Sequence, residues 1–232
     1  MSLYTSCSVA HDRRPCFRDE SDYLVYLLLL HQLSTKAGCA IHTYCLMTNH
    51  VHLLLTPREN GIACGNLMRD LGQRYVQYFN RRHARTGTLW EGRFRSCLVE
   101  SPEYVLACYR YIEMNPVRAG MVNVPSAYRW SSHKANIGQA TNKIISPHAE
   151  YLALALDEDS RLAAYRCFFD QGDQPAFLTA VRDATNGGYA LIGDRLKARL
   201  AGRTNRRIER GKPGRRPRSE SVEPSSGDLA GC

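Results

Sequence analysis

The sequence predicts an α+β protein: a ferredoxin-like (RRM-like) antiparallel sheet with helices on one face, followed by a C-terminal helical extension. Three observations support this fold class. Strand-like and helix-like segments occur in the order strand, helix, strand, strand, helix, strand over about the first hundred residues. That order is the split βαβ arrangement, and a third helix follows it. After Gly120 the chain becomes rich in small residues at helical spacing.

The predicted strands contain β-branched, aromatic and leucine side chains, which favour extended structure. Thr48 and Asn49 form a turn signal between the second and third strands, so these two strands should make a tight hairpin. The first strand is poorly patterned. The four strands are expected over residues 3–9, 40–47, 50–56 and 93–100.

Three helices are expected in this part of the chain, over residues 20–36, 67–82 and 104–114. Ser21 can cap the first helix, and Gly38 is a suitable stop. The third helix starts from Ser-Pro-Glu at residues 101–103, which combines a cap, a first-turn proline and an early acid. Pro116 is expected to end that helix near Asn115.

We expect three parts in the chain: a domain of residues 1–138, a helical extension of residues 139–202 and a basic disordered tail of residues 203–232. The tail has no apolar periodicity and is dominated by arginine with glycine and proline, so it cannot build a core. The extension contains candidate helices at residues 149–156, 161–169, 176–184 and 194–200, with a turn at residues 186–188.

The composition excludes several classes of protein. The 232 residues are 44% hydrophobic, which is enough for a core, and their net charge of +9 favours a polyanionic partner such as nucleic acid. The nine cysteines include no Cys-x-x-Cys pair, which argues against a zinc site or a disulfide framework. No signal peptide or apolar run long enough for a membrane span is present, so we expect a soluble cytoplasmic protein with no membrane partner.

The third strand contains two histidines at alternate positions, His50 and His52. Alternate side chains of a strand lie on the same face, so the two imidazoles should be adjacent and could bind one divalent metal. The alternative is a strand that carries two histidines without function. A third ligand and a nucleophile elsewhere would decide between these readings.

The third predicted helix contains a candidate nucleophile and a candidate third ligand. Tyr111 and Asn115 are four residues apart and therefore lie one above the other on one helix face. If this helix crosses the sheet near the histidines, then His50, His52 and the Asn115 amide oxygen could hold Mg²⁺ or Mn²⁺ with positions open for a phosphate. Tyr111 would face the phosphorus as the nucleophile. A phenol of pKa about 10 needs help to lose its proton, and no dedicated base is evident.

Four segments resemble those of HUH-type single-tyrosine insertion-sequence transposases. They are residues 44–55 (YCLMTNHVHLLL), 88–96 (TLWEGRFRS), 111–120 (YIEMNPVRAG) and 130–133 (WSSH). The asparagine and the NPVRAG ending are similar to the REP-associated tyrosine transposase branch. The resemblance, which covers residues from about 12 to 138, implies cleavage of single-stranded DNA at folded hairpins. It also implies Tyr111 as the nucleophile and His50, His52 and Asn115 as metal ligands.

Two departures from the family pattern stand out. Members usually begin with a strand that ends in an Arg-Gly turn, whereas residues 6–12 here contain no glycine. The residue before the motif asparagine is often proline, and here it is Thr48. We expect the first change to alter the first strand or nearby DNA contacts, and the second to be harmless because threonine also suits a turn.

Several polar residues near the motifs are candidate DNA contacts: Arg13, Asn49, Arg93, Arg95 and Arg118. Arg93 and Arg95 should share one strand face, where they could contact phosphates or remain solvated. Asn49 could instead only build the hairpin turn. Trp90 and Trp130 could stack on bases, although a core position is the commoner role.

Three functions remain open from the sequence. The first is a metal-dependent transposase that nicks and rejoins single-stranded DNA through a 5′-phosphotyrosine. The second is a hairpin-binding relative that does not cleave. The third is a metal-dependent hydrolase that activates water and does not need Tyr111. The sequence allows either a monomer or a homodimer, and residues 139–202 show no recognisable chemistry.

Overall fold

The structure, a computed structural model, describes residues 3–59, 61–99, 102–170 and 175–187. The first six elements are β1 (Leu3–Val9), α1 (Glu20–Ala37), β2 (Cys39–Met47), β3 (His50–Pro57), α2 (Ile62–Arg82) and β4 (Arg95–Val99). The strands form one antiparallel sheet in the order β2-β3-β1-β4. This order and succession confirm the ferredoxin-like fold class.

Six further helices follow the sheet within the described residues. They are α3 (Pro102–Glu113), α4 (Asn115–Arg118), α5 (His133–Asn136), α6 (Ala149–Leu152), α7 (Glu158–Asp170) and α8 (Pro175–Gly187). Short 3₁₀ turns occupy His11–Arg13 and Pro125–Ala127. Within those ranges, no helix combines the length and the apolar character that crossing a bilayer requires.

One face of the sheet, called here the first face, is covered by α1 and α2. Val51, Leu53 and Leu55 of β3 point to this face, because every second residue of a strand lies on the same side. A bulge between Ile41 and Thr43 shifts the alternation in β2. The core also includes Tyr26 and Leu30 of α1 and Leu71, Tyr75 and Phe79 of α2, all buried.

The opposite face, called here the second face, is covered by α3 and by helices of the extension. Leu54, Cys97 and Val99 of the sheet pack there with Cys108 and Ile112 of α3. The expectation of helices on one face therefore holds for α1 and α2 but is incomplete, because the apolar residues of the second face also need cover. Extension residues in this cluster are Tyr151, Tyr165, Val181 and Ala184. The predicted boundary at residue 138 thus falls within a shared core.

The ends of α1 follow capping rules, with one change from the sequence prediction. Asp19, not Ser21, is the N-cap, and its side chain accepts a hydrogen bond from the Asp22 amide. Gly38 ends the helix as predicted, with a left-handed φ of 63° that suits glycine.

The turn after β1 supplies a left-handed residue without glycine. Asp12 adopts a φ of 53°, which aspartate tolerates better than most side chains. The poorly patterned β1 is nevertheless a central strand, paired with both β3 and β4.

Other boundaries differ modestly from prediction. Helix α2 begins five residues earlier than expected, at Ile62, and β4 begins two residues later, at Arg95. Helix α3 ends at Glu113, close to the predicted end near Asn115, and Pro116 lies in the first turn of the following helix α4, where its missing amide hydrogen costs nothing. Helix α8 continues to Gly187, so the turn predicted at residues 186–188 is helical through its first two positions. The predicted helix at 194–200 and the tail lie outside the described residues.

Candidate active site

His50 and His52 are adjacent on the second face at the start of β3. Their ring centroids are 4.9 Å apart, with the rings nearly perpendicular. His50 Nδ1 lies 2.7 Å from Asn49 Oδ1, a distance at which the imidazole donates to the amide oxygen. This bond orients the ring and favours the tautomer with the proton on Nδ1, in which Nε2 is the nitrogen suited to metal coordination.

Tyr111 reaches the histidine pair from α3. Its ring lies edge-on to His52 with 5.7 Å between centroids, and only 7% of the residue is exposed. Helix α3 therefore crosses the histidine-bearing face, which is the condition the sequence prediction required. The tyrosine and both histidines belong to one chain, so a second chain is not needed to complete this juxtaposition.

Burial shifts the pKa values of His52 and Tyr111, and these shifts affect the chemistry that each can perform. Desolvation, the neighbouring His50 and the Arg118 charge hold the pKa of His52 well below its usual range, so its ring is neutral at physiological pH. Neutral imidazole is the form that binds metal. Burial raises the pKa of the Tyr111 phenol, while two cations, Arg118 and Arg182, oppose that rise.

Those two arginines approach Tyr111 from different elements. The Arg118 guanidinium of α4 lies over the Tyr111 ring, 4.8 Å from its centroid, and donates to the Tyr111 backbone carbonyl. The positive charge of Arg182 on α8 also acts on Tyr111 and lowers the pKa of its phenol. Arg118 had been predicted as a DNA contact; here it is engaged on the candidate nucleophile. No sequence pattern had indicated Arg182, because α8 is more than 60 residues away along the chain.

Asn115 is the first residue of α4, directly after the break that ends α3. Its amide nitrogen donates to the Tyr111 carbonyl at 2.9 Å and to the Ile112 carbonyl at 3.3 Å. Because the nitrogen is held by the helix, the oxygen is the amide atom left to accept a hydrogen bond or bind a cation. Asn115 is thus tied directly to Tyr111, as the spacing predicted.

The predicted DNA-contact arginines are not arranged as one strand face. Arg93 is exposed but precedes the first residue of β4, so the prediction that it shares a strand face with Arg95 is wrong. Arg95 is half-buried, with its guanidinium 3.6 Å from Glu91. Arg13 ends the 3₁₀ turn after β1, and its side chain lies outside the described part of the structure.

The two tryptophans are placed as core residues. Trp130 stacks on Tyr23 with 4.3 Å between ring centroids. Trp90 packs against the first-face core and lies 6.1 Å from the Tyr75 ring.

A second group of potential metal-binding side chains lies between α1 and α2. Ligand atoms of Asp19, Asp22 and His83 all lie within 4.8 Å of one another. His83 Nε2 is 3.0 Å from the buried Asp22 carboxylate, and Arg82 donates to Asp19 at 2.9 Å. Arg82 already pairs its positive charge with these carboxylates. The group therefore has the character of a structural ion-pair network at the ends of α1 and α2.

Glu113 is a buried site-proximal residue that sequence reasoning missed. It lies between Tyr111 and Asn115 in the chain and is fully buried among polar side chains. The available signal was a carboxylate two residues from Tyr111 and from Asn115, together with the WSSH segment at residues 130–133, two of whose side chains bond to it.

Comparison with known proteins matches the family described as "Transposase IS200 like" to residues 3–115. That span contains the whole sheet, α1, α2, α3, both histidines, Tyr111 and Asn115. Over residues 3–115, this chain is therefore similar to the IS200-like transposases. No curated protein sequence matches it.

Comparison with solved structures gives two matches to report. The first is a REP-associated tyrosine transposase bound to a REP hairpin, with a TM-score of 0.51 and 15% identity, covering 64% of this chain and 86% of that one. The second is a putative transposase from Deinococcus radiodurans, with a TM-score of 0.36 and 18% identity, covering 46% of this chain and 86% of that one. At 15% identity the first likeness supports the fold alone.

Proposed function

We propose that this transposase-family protein nicks and rejoins single-stranded DNA at hairpin sites through a 5′-phosphotyrosine at Tyr111. The observation that carries the proposal is the edge-on contact of Tyr111 with His52, in a site where both are buried. A tyrosine in a metal-dependent hydrolase needs no such position, because water would be the nucleophile.

The proposed reaction exchanges one phosphodiester for another. The Tyr111 oxygen attacks the scissile phosphorus, the bond from phosphorus to the 3′-oxygen breaks, and the phenol proton leaves while the 3′-oxygen is released as a hydroxyl. The 5′ end remains on the tyrosine as a phosphotyrosine. Attack by a free 3′-hydroxyl reverses these steps, so a strand can be rejoined without another energy source.

Arg118 and Arg182 are proposed to assist the nucleophile. A phenol with a raised pKa is almost fully protonated near neutral pH, and both guanidiniums favour the phenolate. The position of Arg118 over the ring also holds the phenol plane. These two cations stabilise the deprotonated form of Tyr111, for which the sequence indicates no dedicated base.

His50, His52 and the Asn115 oxygen are proposed to hold Mg²⁺ or Mn²⁺. The donor set fits a cation, because His52 is neutral, Asn49 orients the His50 ring, and the Asn115 nitrogen is engaged elsewhere. A bound cation supplies Lewis-acid polarisation of the scissile phosphate and stabilises charge on the leaving oxygen.

The substrate and assembly are proposals of the same kind. A hairpin target in the manner of REP-associated transposases agrees with the NPVRAG ending and the net charge of +9. Arg13, Asn49, Arg93, Arg95 and Arg118 remain proposed DNA contacts. A monomer suffices for the chemistry, because Tyr111 meets His52 within one chain; a homodimer would have to serve another purpose.

The test uses a labelled single strand that contains a hairpin, incubated with the full chain and Mn²⁺ or Mg²⁺ and run on a denaturing gel. We expect a covalent adduct that disappears in Tyr111→Phe and on chelation of the metal. Tyr75→Phe is the matched control, because it removes a buried hydroxyl on the first face, where the group bonds only the Cys16 carbonyl. Cleavage that survives Tyr111→Phe would support the hydrolase, and binding without cleavage would support the hairpin-binding reading.

A further inference from the structure

The Glu113 carboxylate in the last turn of α3 is fully buried and surrounded by hydrogen-bond donors. Its Oε1 atom lies 2.9 Å from the Thr43 hydroxyl and 2.9 Å from the Ser132 hydroxyl. The Asn136 amide nitrogen lies 2.6 Å from the same oxygen. These three donors come from β2, from the segment before α5 and from α5 itself.

The second oxygen, Oε2, has two hydrogen-bond partners, one of them in the helical extension. His133 Nδ1 lies 2.6 Å away and the Tyr165 hydroxyl 3.0 Å away. Tyr165 belongs to α7 and is completely buried in the second-face core. A carboxylate has about four lone-pair directions, so five donors saturate it.

Because of the position of Glu113 on its helix, these hydrogen bonds affect the orientation of Tyr111 and Asn115. Successive residues of an α-helix are about 100° apart, so Glu113 projects roughly opposite to Tyr111, two residues earlier. Asn115 follows two residues later and bonds back to the Tyr111 carbonyl. Any rotation of this helix end about its axis would therefore move the nucleophile and the candidate ligand together.

Directional bonds are needed because apolar packing alone permits small rotations and slides. The apolar residues that α3 contributes to the second-face core include Val105, Cys108 and Ile112, whose packing tolerates such adjustments. Charge-assisted hydrogen bonds to a carboxylate fix both distance and direction.

We propose that Glu113 is a positioning residue that sets the orientation of Tyr111 and Asn115, and that Tyr165 brings the helical extension into this task. The inference rests on the proposed function for its catalytic consequence. It gives the extension a defined role, which is to hold the nucleophile helix in register with the histidines. It also explains the WSSH segment, because Ser132 and His133 serve the same carboxylate.

The test compares two tyrosines of the extension that differ in what their hydroxyls bond. Tyr165→Phe removes a donor to Glu113, whereas Tyr151→Phe removes a donor to the Asn136 backbone carbonyl, 2.6 Å away. Both rings are buried and pack on each other with 5.0 Å between centroids. Glu113→Gln is the third variant, because it keeps the side-chain length and puts an NH₂ group where one oxygen was.

Two measurements are made on each variant: the single-turnover rate of Tyr111 adduct formation at saturating hairpin, and the NMR signals of the ¹³C-labelled His52 ring. Small misplacements of a nucleophile cost up to about a hundredfold in rate, so we expect about a tenfold loss in Tyr165→Phe and more in Glu113→Gln, with unchanged hairpin affinity. The His52 signals should move in both, because the Tyr111 ring lies 5.7 Å away. Tyr151→Phe should change neither.

The outcomes separate the two proposals. The positioning role would be overturned if Tyr165→Phe and Tyr151→Phe changed the rate and the His52 signals equally, in proportion to their changes in melting temperature. It would also be overturned by an unchanged rate and unchanged His52 signals in Tyr165→Phe. Absence of any adduct in the wild-type protein would overturn the proposed function, and the His52 signals would still decide whether Glu113 positions Tyr111.

Discussion

The two faces of the sheet are both buried but are built from different chemistry. On the first face, α1 and α2 enclose leucines and aromatic rings. On the second face, α3 and the extension enclose His52, Tyr111, Glu113 and their polar partners among the apolar residues. The difference arises within single strands: Val51 and Leu53 point to one side, and His52 points to the other.

This division shows how a small fold separates stability from chemistry. The first face is stabilised mainly by apolar burial, and its buried Asp22 is paired with His83 between α1 and α2. The second face must satisfy every buried polar group, because an unpaired one costs about 1–3 kcal/mol. Its donors and acceptors therefore form bonded groups, such as the one around Glu113, which rigidify the site they surround.

The largest expected effect is on catalysis, from a substitution on the second face. His52→Gln should lower the adduct-forming rate by at least about a hundredfold, because even the loss of a partner of a metal ligand costs about 10–100-fold. Gel-based single-turnover assays over a range of Mn²⁺ concentrations measure it. A variant that keeps its rate would remove His52 from the proposed metal site.

The adjacent residue provides the opposite test. Leu53→Ala removes a fully buried side chain on the first face and should cost about 2–5 kcal/mol of unfolding free energy. Chemical denaturation measures that loss, and the adduct-forming rate of the folded fraction should stay within about twofold, since stability and chemistry lie on opposite faces. A rate loss as large as that of His52→Gln would contradict the division between faces.

The smallest effect concerns a buried histidine outside the site. His42 bonds the Thr56 hydroxyl at 2.8 Å and the Ser146 carbonyl at 2.6 Å, and burial lowers its pKa from 6.5 to about 4. Between those two values the unfolded chain binds a proton and the folded one does not, so stability falls as pH falls. From pH 7 to pH 5 the loss from His42 should be about 2 kcal/mol.

Denaturation at the two pH values checks this prediction. His42→Gln should reduce the pH dependence and leave the cleavage rate at pH 7 unchanged. The same change at the exposed His31 is the control and should leave the pH dependence as it was. An unaltered pH dependence in His42→Gln would show that other groups cause the acid sensitivity.

Local patterns were sufficient to predict most of the fold and half of the candidate site. Strand alternation placed His50 and His52 together, and helical spacing placed Tyr111 beside Asn115. The element order predicted the sheet, and its topology followed.

Features that depend on distant contacts could not be predicted in this way. The partners of Glu113 lie 19 to 70 residues away in the chain, and no spacing rule connects them. Arg182 reaches Tyr111 only because α8 packs against β4 and β1. The mistaken strand face of Arg93 and Arg95 had a local cause: Gly92, with a φ of 144°, precedes Arg93 and keeps the chain irregular until Arg95.

Mapping the attachment point of the DNA tests the central claim most directly. The wild-type protein is reacted with a hairpin-bearing single strand and Mn²⁺, digested with nuclease and protease, and analysed by tandem mass spectrometry. We expect a 5′-linked nucleotide on the peptide that contains Tyr111, and no other modified tyrosine. An adduct on any other residue, or cleaved DNA with no modified peptide, would contradict it.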